Sequence, residues 1–587
     1  MVKELMKSIR EFKLATILTP TFVVGEVIIE ALIPFLISLL INDIKAGCDL
    51  SVILGYAWKL VILSLLSLLC GYLAGIYCAE ASTGFAKNLR YDIFSNIQKF
   101  SFSNIDKFSS ASLVTRLTTD IQNVQMAFMM IIRTAVRAPL NLIFSFAMAY
   151  IMGGSMAVIF LIIIPFLGIG LYLIVRTVMP VFKKGFPLFD KITRIVEENV
   201  KGIRVVKSFV REDYEIKKFD ETSNDIRKMF TRAEQIIALN NPLMQISIYA
   251  VMLFVLMFGS EMIIKTNGTS LDVGQLSTLM TYGFQIMVSL MMLSMVFVMI
   301  TFSEESCKRI IEVLNEKSSI TSKENAITEV KDGSIDFDHV RFKYSPTAER
   351  PVLENIDVHI KSGETIGIIG GTGSAKSSFV QLIPRLYDVT EGTVRVGKED
   401  VRDYDLVTLR DSVAMVLQKN VLFSGTIADN IRWGNKDATL EEVKHVCHLA
   451  CADEFIEQMP DGYDTWIEQG GTNVSGGQKQ RLCIARALLK QPKILIMDDS
   501  TSAVDTKTDA IIRKAMKEYI PETTKIIIAQ RTSSVEDADR IIVLDGGKID
   551  AIGTSEELLK TNQIYREVYL SQNKQGTEEI VEEGGVR

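Results

Sequence analysis

Six apolar stretches occupy the first half of the chain, near Leu14–Ile41, Leu60–Ala79, Phe128–Gly153, Met156–Val178, Pro242–Ile264 and Leu276–Phe302. Each reaches the roughly 20 residues that an α-helix needs to cross a bilayer. The third opens with Arg133 and Arg137, whose long stems can snorkel toward one interface. Segments 84–125 and 183–235 keep apolar residues at helical spacing but are rich in charge, so they predict membrane helices that continue into water. The periodicity is lost over 316–333 (EKSSITSKENAITEVKDG), which predicts a linker. From 334 to 570, short β-branched runs alternate with helical patterns, as α/β domains do. The acidic end, 571–587, predicts a disordered tail. The expected division is a six-helix membrane domain (1–315), a linker, an α/β domain (334–570) and the tail.

Charge orients the membrane half. Lys3, Lys7, Arg10 and Lys13 precede the first stretch, Lys87, Arg90, Lys99, Lys107 and Arg116 lie between the second and third, and fourteen Lys or Arg fall between Arg176 and Arg232. The opposite loops hold only Lys45, Lys59 and Lys265. The positive-inside rule then places both termini and the α/β domain in the cytosol of a multi-pass cell-membrane protein. The first apolar run is too long for a signal-peptide core and reads as a retained helix. Composition agrees with a mixed molecule: 48% hydrophobic and 23% charged residues, with mean hydropathy +0.23. A net charge of −6 gives no sign of nucleic-acid binding. Seven scattered cysteines show no paired framework, and the last four should face reducing cytosol.

Candidate chemistry is concentrated in the second half. The buried-strand pattern Thr365–Ile369 runs into Gly370-Gly371-Thr372-Gly373-Ser374-Ala375-Lys376-Ser377-Ser378, close to a P-loop. Backbone N–H groups there would cradle phosphates, Lys376 would reach the β- and γ-phosphates of ATP, and Ser377 would ligate Mg²⁺. A second strand pattern, Lys493–Met497, ends in Asp498-Asp499, a Walker B arrangement in which Asp498 would hold Mg²⁺. Between them lies Asn473-Val474-Ser475-Gly476-Gly477-Gln478.

With that ordered set in place, the chain resembles the ATP-binding cassette (ABC) exporter family over about residues 10–570. The resemblance implies a six-helix exporter half, with two helices exchanged against a partner half, joined to a P-loop nucleotide-binding domain with a helical subdomain. It implies that Tyr344 stacks on adenine and that Gln418 is the Q-loop glutamine, near Mg²⁺ and linking nucleotide state to the membrane helices. It also implies that Asp505 lies in the D-loop, that Ser475 to Gln478 form a signature donated to the partner's ATP site, and that residues near 102–107 and 210–215 are coupling helices.

The sequence departs from the family at three places. Asp499 stands where a water-polarising Glu is usual, Gln530 stands where a His contacting the γ-phosphate is usual, and Ala375 replaces a glycine. These departures resemble the degenerate-site subunit of a heterodimeric multidrug-type exporter, whose partner would carry Glu and His. A homodimer with slow hydrolysis, a lipid or peptide exporter, and an ATP-gated sensor remain alternatives.

Three further features stand apart. Glu26 and Glu30 share a face inside the first apolar stretch, where carboxylates face a cavity or a partner, and could bias a small amphipathic cargo toward cations. His445, Cys447, His448 and Cys451 could hold zinc, or pack as an ordinary helix. Met280, Met287, Met291, Met295 and Met299 fall near one stripe of the sixth stretch, with Met292 off it, and could line an adaptable cavity or pack against neighbours.

Overall fold

A computed structural model describes residues 2–345, 347–500 and 504–572, and these form two compact units. The first is Met1–Lys99 with Ser109–Glu316, and the second is Phe100–Phe108 with Lys317–Arg587.

The first unit is helical: α1 (Lys13–Lys45), α2 (Leu50–Ile97), α3 (Ile121–Ile132), α4 (Thr134–Gly153), α5 (Val158–Lys201), α6 (Glu212–Ala238), α7 (Asn240–Thr266) and α8 (Val273–Asn315). Among the described residues five helical stretches are long and apolar enough to span a membrane. The stretch Ser110–Lys201 contains both the third and fourth apolar runs, which break at Gly154 in left-handed backbone (φ +52°). The 48 residues of α2 span about 72 Å, far more than a hydrocarbon core of about 30 Å. Only 6% of its most apolar window is buried within the chain, so lipid or a partner chain must cover it. The interior is built by Phe160, Leu167, Val255, Tyr282, Ile286 and Met287 from α5, α7 and α8, all fully buried. The Tyr282 hydroxyl donates to the Ala31 carbonyl at 2.6 Å and ties α8 to α1. Of the methionine stripe only Met287 is buried, while Met295 is exposed, so one surface does not present the set.

The structure changes the reading of the intramembrane charges. Arg137 does not snorkel away: it meets Glu26 at 3.2 Å and Glu30 at 2.8 Å. This arginine of α4 engages both carboxylates of α1, and its single positive charge offsets one of the two negative charges. Gly71 of α2 makes this possible, because a Cβ there would lie 2.9 Å from the Glu26 carboxylate.

Helices α5 and α6 run side by side and are joined by the short helix Ile203–Ser208. The tip that follows leaves Phe209 and Val210 73% and 81% exposed.

The second unit begins after a stretch, 316–334, without helix or strand apart from one isolated bridge, Ile327 to Tyr404. Its strands are β1 (Ile335–Phe342), β2 (Leu353–Ile360), β3 (Thr365–Ile369), β4 (Glu391–Val396), β5 (Val413–Val416), β6 (Ile494–Asp498), β7 (Thr524–Ile528), β8 (Arg540–Asp545) and β9 (Lys548–Gly553). An antiparallel sheet has β1 between β2 and β4. A second sheet has the order β9-β8-β3-β7-β6-β5, parallel except at β9. Strands β3 (TIGII), β6 (ILIMD) and β7 (TKIII) are buried along almost their whole length and mainly apolar, with their polar residues at the strand ends, as central parallel strands covered on both faces are.

A helical subdomain, including Leu440–Leu449 and α10 (Gly476–Leu489, following α9 at Lys376–Gln381), shares a core with the edge of the parallel sheet. Its residues do not gather as a zinc site. Cys447 is buried with its thiol pushed up to about 12 by burial, His445 packs edge-on against Tyr519, and His448 pairs with Asp453 at 2.6 Å. The last helix, α11 (Gln563–Gln572), reaches two residues into the segment expected as tail, and 573–587 lie outside the described residues.

Candidate nucleotide site

The two central strands deliver the site. Strand β3 ends at Ile369, and the loop Gly370–Ala375 turns into α9. Strand β6 lies one strand away, across β7, and ends in Asp498. In such sheets ligands bind beyond the carboxyl ends of the strands. Gly371 and Gly373 face open space, so nothing blocks approach to their backbone. Gly370 is different: a Cβ there would collide with the Leu544 carbonyl. Ala375 adopts left-handed backbone (φ +69°), the conformation that favours glycine, and so carries local strain.

The loop is arranged to receive phosphate. The Lys376 ammonium donates to the carbonyls of Gly370 at 2.7 Å and Gly371 at 2.9 Å. Burial pushes its pKa below the usual lysine value, against the pull of Asp498 and Asp499. Such a buried cation gains by meeting an anion. Asp498 is the complementary case: burial raises its pKa, while a hydrogen bond from Ser377 lowers it. A buried carboxylate beside a serine hydroxyl is the oxygen set that Mg²⁺ takes. The residues present therefore fit MgATP, with Ser377 and Asp498 toward the metal and the loop toward the phosphates.

Tyr344 follows β1, is half-exposed, and hydrogen-bonds Ser378 of α9 at 2.8 Å. Its ring meets Tyr387 edge-on at 5.0 Å. Tyr387 in turn donates to Asp106 at 2.8 Å and lies 6.0 Å from Phe102, both in the short helix Phe102–Phe108. No motif singles out Tyr387 in the sequence; only folding brings it to this junction.

The two departures from the family pattern meet at one atom. Asp499, buried and in left-handed backbone (φ +47°), presents Oδ2 to the Nε2 of Gln530 at 2.7 Å and to the Nε2 of Gln418 at 3.2 Å. The ends of β5, β6 and β7 are thus clasped by one carboxylate and two amides.

Ser475 caps α10, and its capping box with Gln478 satisfies the first turn (Ser475 N–H to Gln478 Oε1, 2.9 Å). Val474 is buried in the subdomain core. Among the described residues no hydrogen bond joins Ser475 to Gln478 with the phosphate loop of the same chain. Asp505 caps the helix Thr506–Tyr519, and residues 501–503 before it lie outside the described set.

Comparison with known proteins agrees with this arrangement. The family model for the ABC transporter transmembrane region matches residues 16–303, and that for the ABC transporter ATP-binding region, described as "ABC transporter", matches 353–502. The chain is 34% identical over 554 residues to the uncharacterized ABC transporter ATP-binding protein YfiB of Bacillus subtilis, covering 94% of this chain and 96% of that one. It is 31% identical to an ATP-dependent lipid A-core flippase of Photobacterium profundum, over 86% of this chain and 88% of that one. Its fold is similar to that of a bacterial Atm1-family ABC exporter with ATP bound, with TM-score 0.82 at 24% identity, covering 96% of this chain and 98% of the other.

Proposed function

The chain belongs to the ABC transporter family, and from that premise we propose that it is one half of a heterodimeric exporter, holding ATP in a slow site of its own while completing the fast site of its partner. The observation that carries this reading is the Asp499 clasp. A general base needs a lone pair free to take a proton from the attacking water. Here one carboxylate oxygen, Oδ2, accepts from two amides, which spreads its charge and fixes its direction. Gln530 cannot carry the positive charge available to a histidine, and one of its two amide N–H donors is committed to Asp499. The short carboxylate and the long amide compensate each other sterically while removing base and γ-phosphate contact together.

Binding is a separate matter. The buried Lys376 ammonium, the Ser377–Asp498 pair and the half-exposed Tyr344 support binding and retention of MgATP at this site. Bound ATP supplies the γ-phosphate charge that draws two such domains together. Ser475, Gly476 and Gly477, with the positive end of the 14-residue α10, would meet the phosphate held by the partner. That partner is a homologous half-transporter carrying Glu and His at the two positions.

Nucleotide state would reach the membrane helices by two routes. One is the aromatic chain Tyr344–Tyr387–Phe102, reinforced by Asp106. The other is the exposed tip of this chain at Phe209 and Val210, which would dock on the partner. Its counterpart would enter this chain's groove of about 350 Å³ at Leu417, Val421, Phe423 and Trp433. The cargo is an amphipathic or apolar small molecule. Engagement of both Glu26 and Glu30 by Arg137 weakens selection for cations, and the flippase relatives extend the range to lipids. The cell membrane is the proposed location, with both termini cytosolic.

Isolation of the tagged chain from its own membranes, followed by mass measurement of the intact complex, tests the pairing. A one-to-one complex with a second half-transporter bearing Glu and His is expected. A complex of two copies of this chain would overturn it.

A further inference from the structure

The loop that carries Gln530 is held from a side that no ATP-binding motif reaches. Helix α11 ends at Gln572, whose Oε1 accepts from the Thr532 N–H at 2.9 Å and from the Thr532 hydroxyl at 3.2 Å. Its Nε2 donates to the Gln530 carbonyl at 2.8 Å. The orientation of this amide is fixed by its partners. A backbone N–H needs the oxygen and a backbone carbonyl needs the nitrogen, so a flipped amide would lose both bonds.

Helix α11 is firmly seated and can serve as a strut. Tyr565 is fully buried, with its hydroxyl 2.8 Å from Ser555. Asn562 caps the helix by accepting from the Tyr565 N–H at 2.8 Å, and it also donates to Asp550 at 2.6 Å. Arg566 donates to the Leu559 carbonyl at 2.7 Å. The far end of the same helix then grips the backbone on both sides of Arg531. Strand β7 fixes this loop where it begins, and Gln572 is a second point of attachment two to four residues later.

We propose that Gln572 is a positioning residue of the nucleotide site: it holds the backbone of Gln530 so that the Gln530 amide reaches Asp499 and the clasp with Gln418 stays closed. Gln572 touches neither nucleotide nor metal and acts only through Gln530. This rests on the reading of the clasp as the feature that makes the site slow and retentive. It adds to that reading that the end of the ATP-binding domain sets how long the site keeps its ATP.

The test uses the full-length complex in lipid nanodiscs loaded with radiolabelled MgATP, with retention followed after rapid removal of free nucleotide. Gln572→Ala should shorten retention about fivefold, the scale of one or two partly exposed hydrogen bonds. Gln572→Glu keeps the acceptor for Thr532 but loses the donor to Gln530, and should fall between wild type and alanine. In a Gln530→Ala background, Gln572→Ala should add nothing. Ser571→Ala, one residue away and bonded only within its own helix, should leave retention unchanged. Retention unaltered by Gln572→Ala would overturn the proposal. So would an equal loss with and without Gln530, or the same loss from Ser571→Ala. If the wild-type site retains no ATP, the slow-site reading fails separately. The role of Gln572 is then read from KM for ATP, with the partner's catalytic Glu replaced. A severalfold rise that requires Gln530 supports it, and no rise, or a rise without Gln530, overturns it.

Discussion

At position 499 an aspartate stands one methylene short of the usual glutamate, which withdraws the carboxylate by about 1.5 Å. At position 530 a neutral amide replaces a ring that can be protonated. The two changed residues meet, since Gln530 donates to the Oδ2 that Asp499 presents. Restoring one residue alone should therefore do little. Asp499→Glu with Gln530→His should raise ATP turnover at this site by about tenfold or more, whereas each single change should give less than half of that in logarithmic terms. Steady-state hydrolysis in a complex whose partner site has been silenced checks this. Ala375 makes a second residue-scale case. Its left-handed backbone costs roughly 1–2 kcal/mol, of which Gly would return part after its own entropy cost of about 0.5–1 kcal/mol. Ala375→Gly should raise the thermal midpoint of the ATP-binding domain by roughly 1–3 °C without weakening nucleotide binding. An unchanged or lower midpoint would count against the strain.

At the scale of elements, the strands of the site could be read directly: Thr365–Ile369 forms as expected, and Lys493–Met497 is displaced by a single residue. Apolar runs flanked by glycine or acid leave little freedom in such an assignment. The pairing of Glu26 and Glu30 with Arg137 could not be read, because α1 and α4 are brought together only by packing. Gln572 and Tyr387 were invisible for the same reason. The parallel sheet has its own electrostatic tie. Arg540 of β8 makes two hydrogen bonds to Glu364, the residue before β3, at 2.5 and 2.8 Å. Burial acts to raise the Glu364 pKa, but the Arg540 bonds and the Lys361 N–H outweigh it and hold the carboxyl below its usual value. The sign follows: this stabilisation is complete above the ordinary glutamate range near pH 4.5 and disappears as pH falls through the depressed folded value. Glu364→Gln should lower the domain's unfolding midpoint at pH 7 and flatten its decline between about pH 5 and 3. Acid-unfolding curves of the two proteins should converge at the low end.

At the scale of the whole molecule, two charge arrangements set the limits of function. In the membrane, Arg137 pairs with two carboxylates, and removing it would leave both without a partner, a loss of roughly 3–5 kcal/mol for a buried pair. Arg137→Met should sharply reduce the amount of assembled complex, and adding Glu26→Gln with Glu30→Gln should recover much of it. Purification yield in detergent reports both. At the far end of the helices, the exposed Phe209 and Val210 are the means by which this half would grip the other. Phe209→Asp should leave nucleotide binding intact and uncouple ATP turnover from transport.

The account stands or falls on the inequality between the two ATP sites, and steady-state ATP hydrolysis of the purified pair, one mutation at a time, tests it most directly. Replacing the partner's catalytic Glu should nearly abolish turnover, and Ser475→Ala with Gly477→Asp in this chain should match it, because both damage the same composite site. Asp499→Asn should lower turnover only modestly, since the clasped carboxylate contributes little catalysis. If Asp499→Asn stops turnover as completely as the partner's Glu replacement, the two sites are equivalent and the asymmetric reading is wrong.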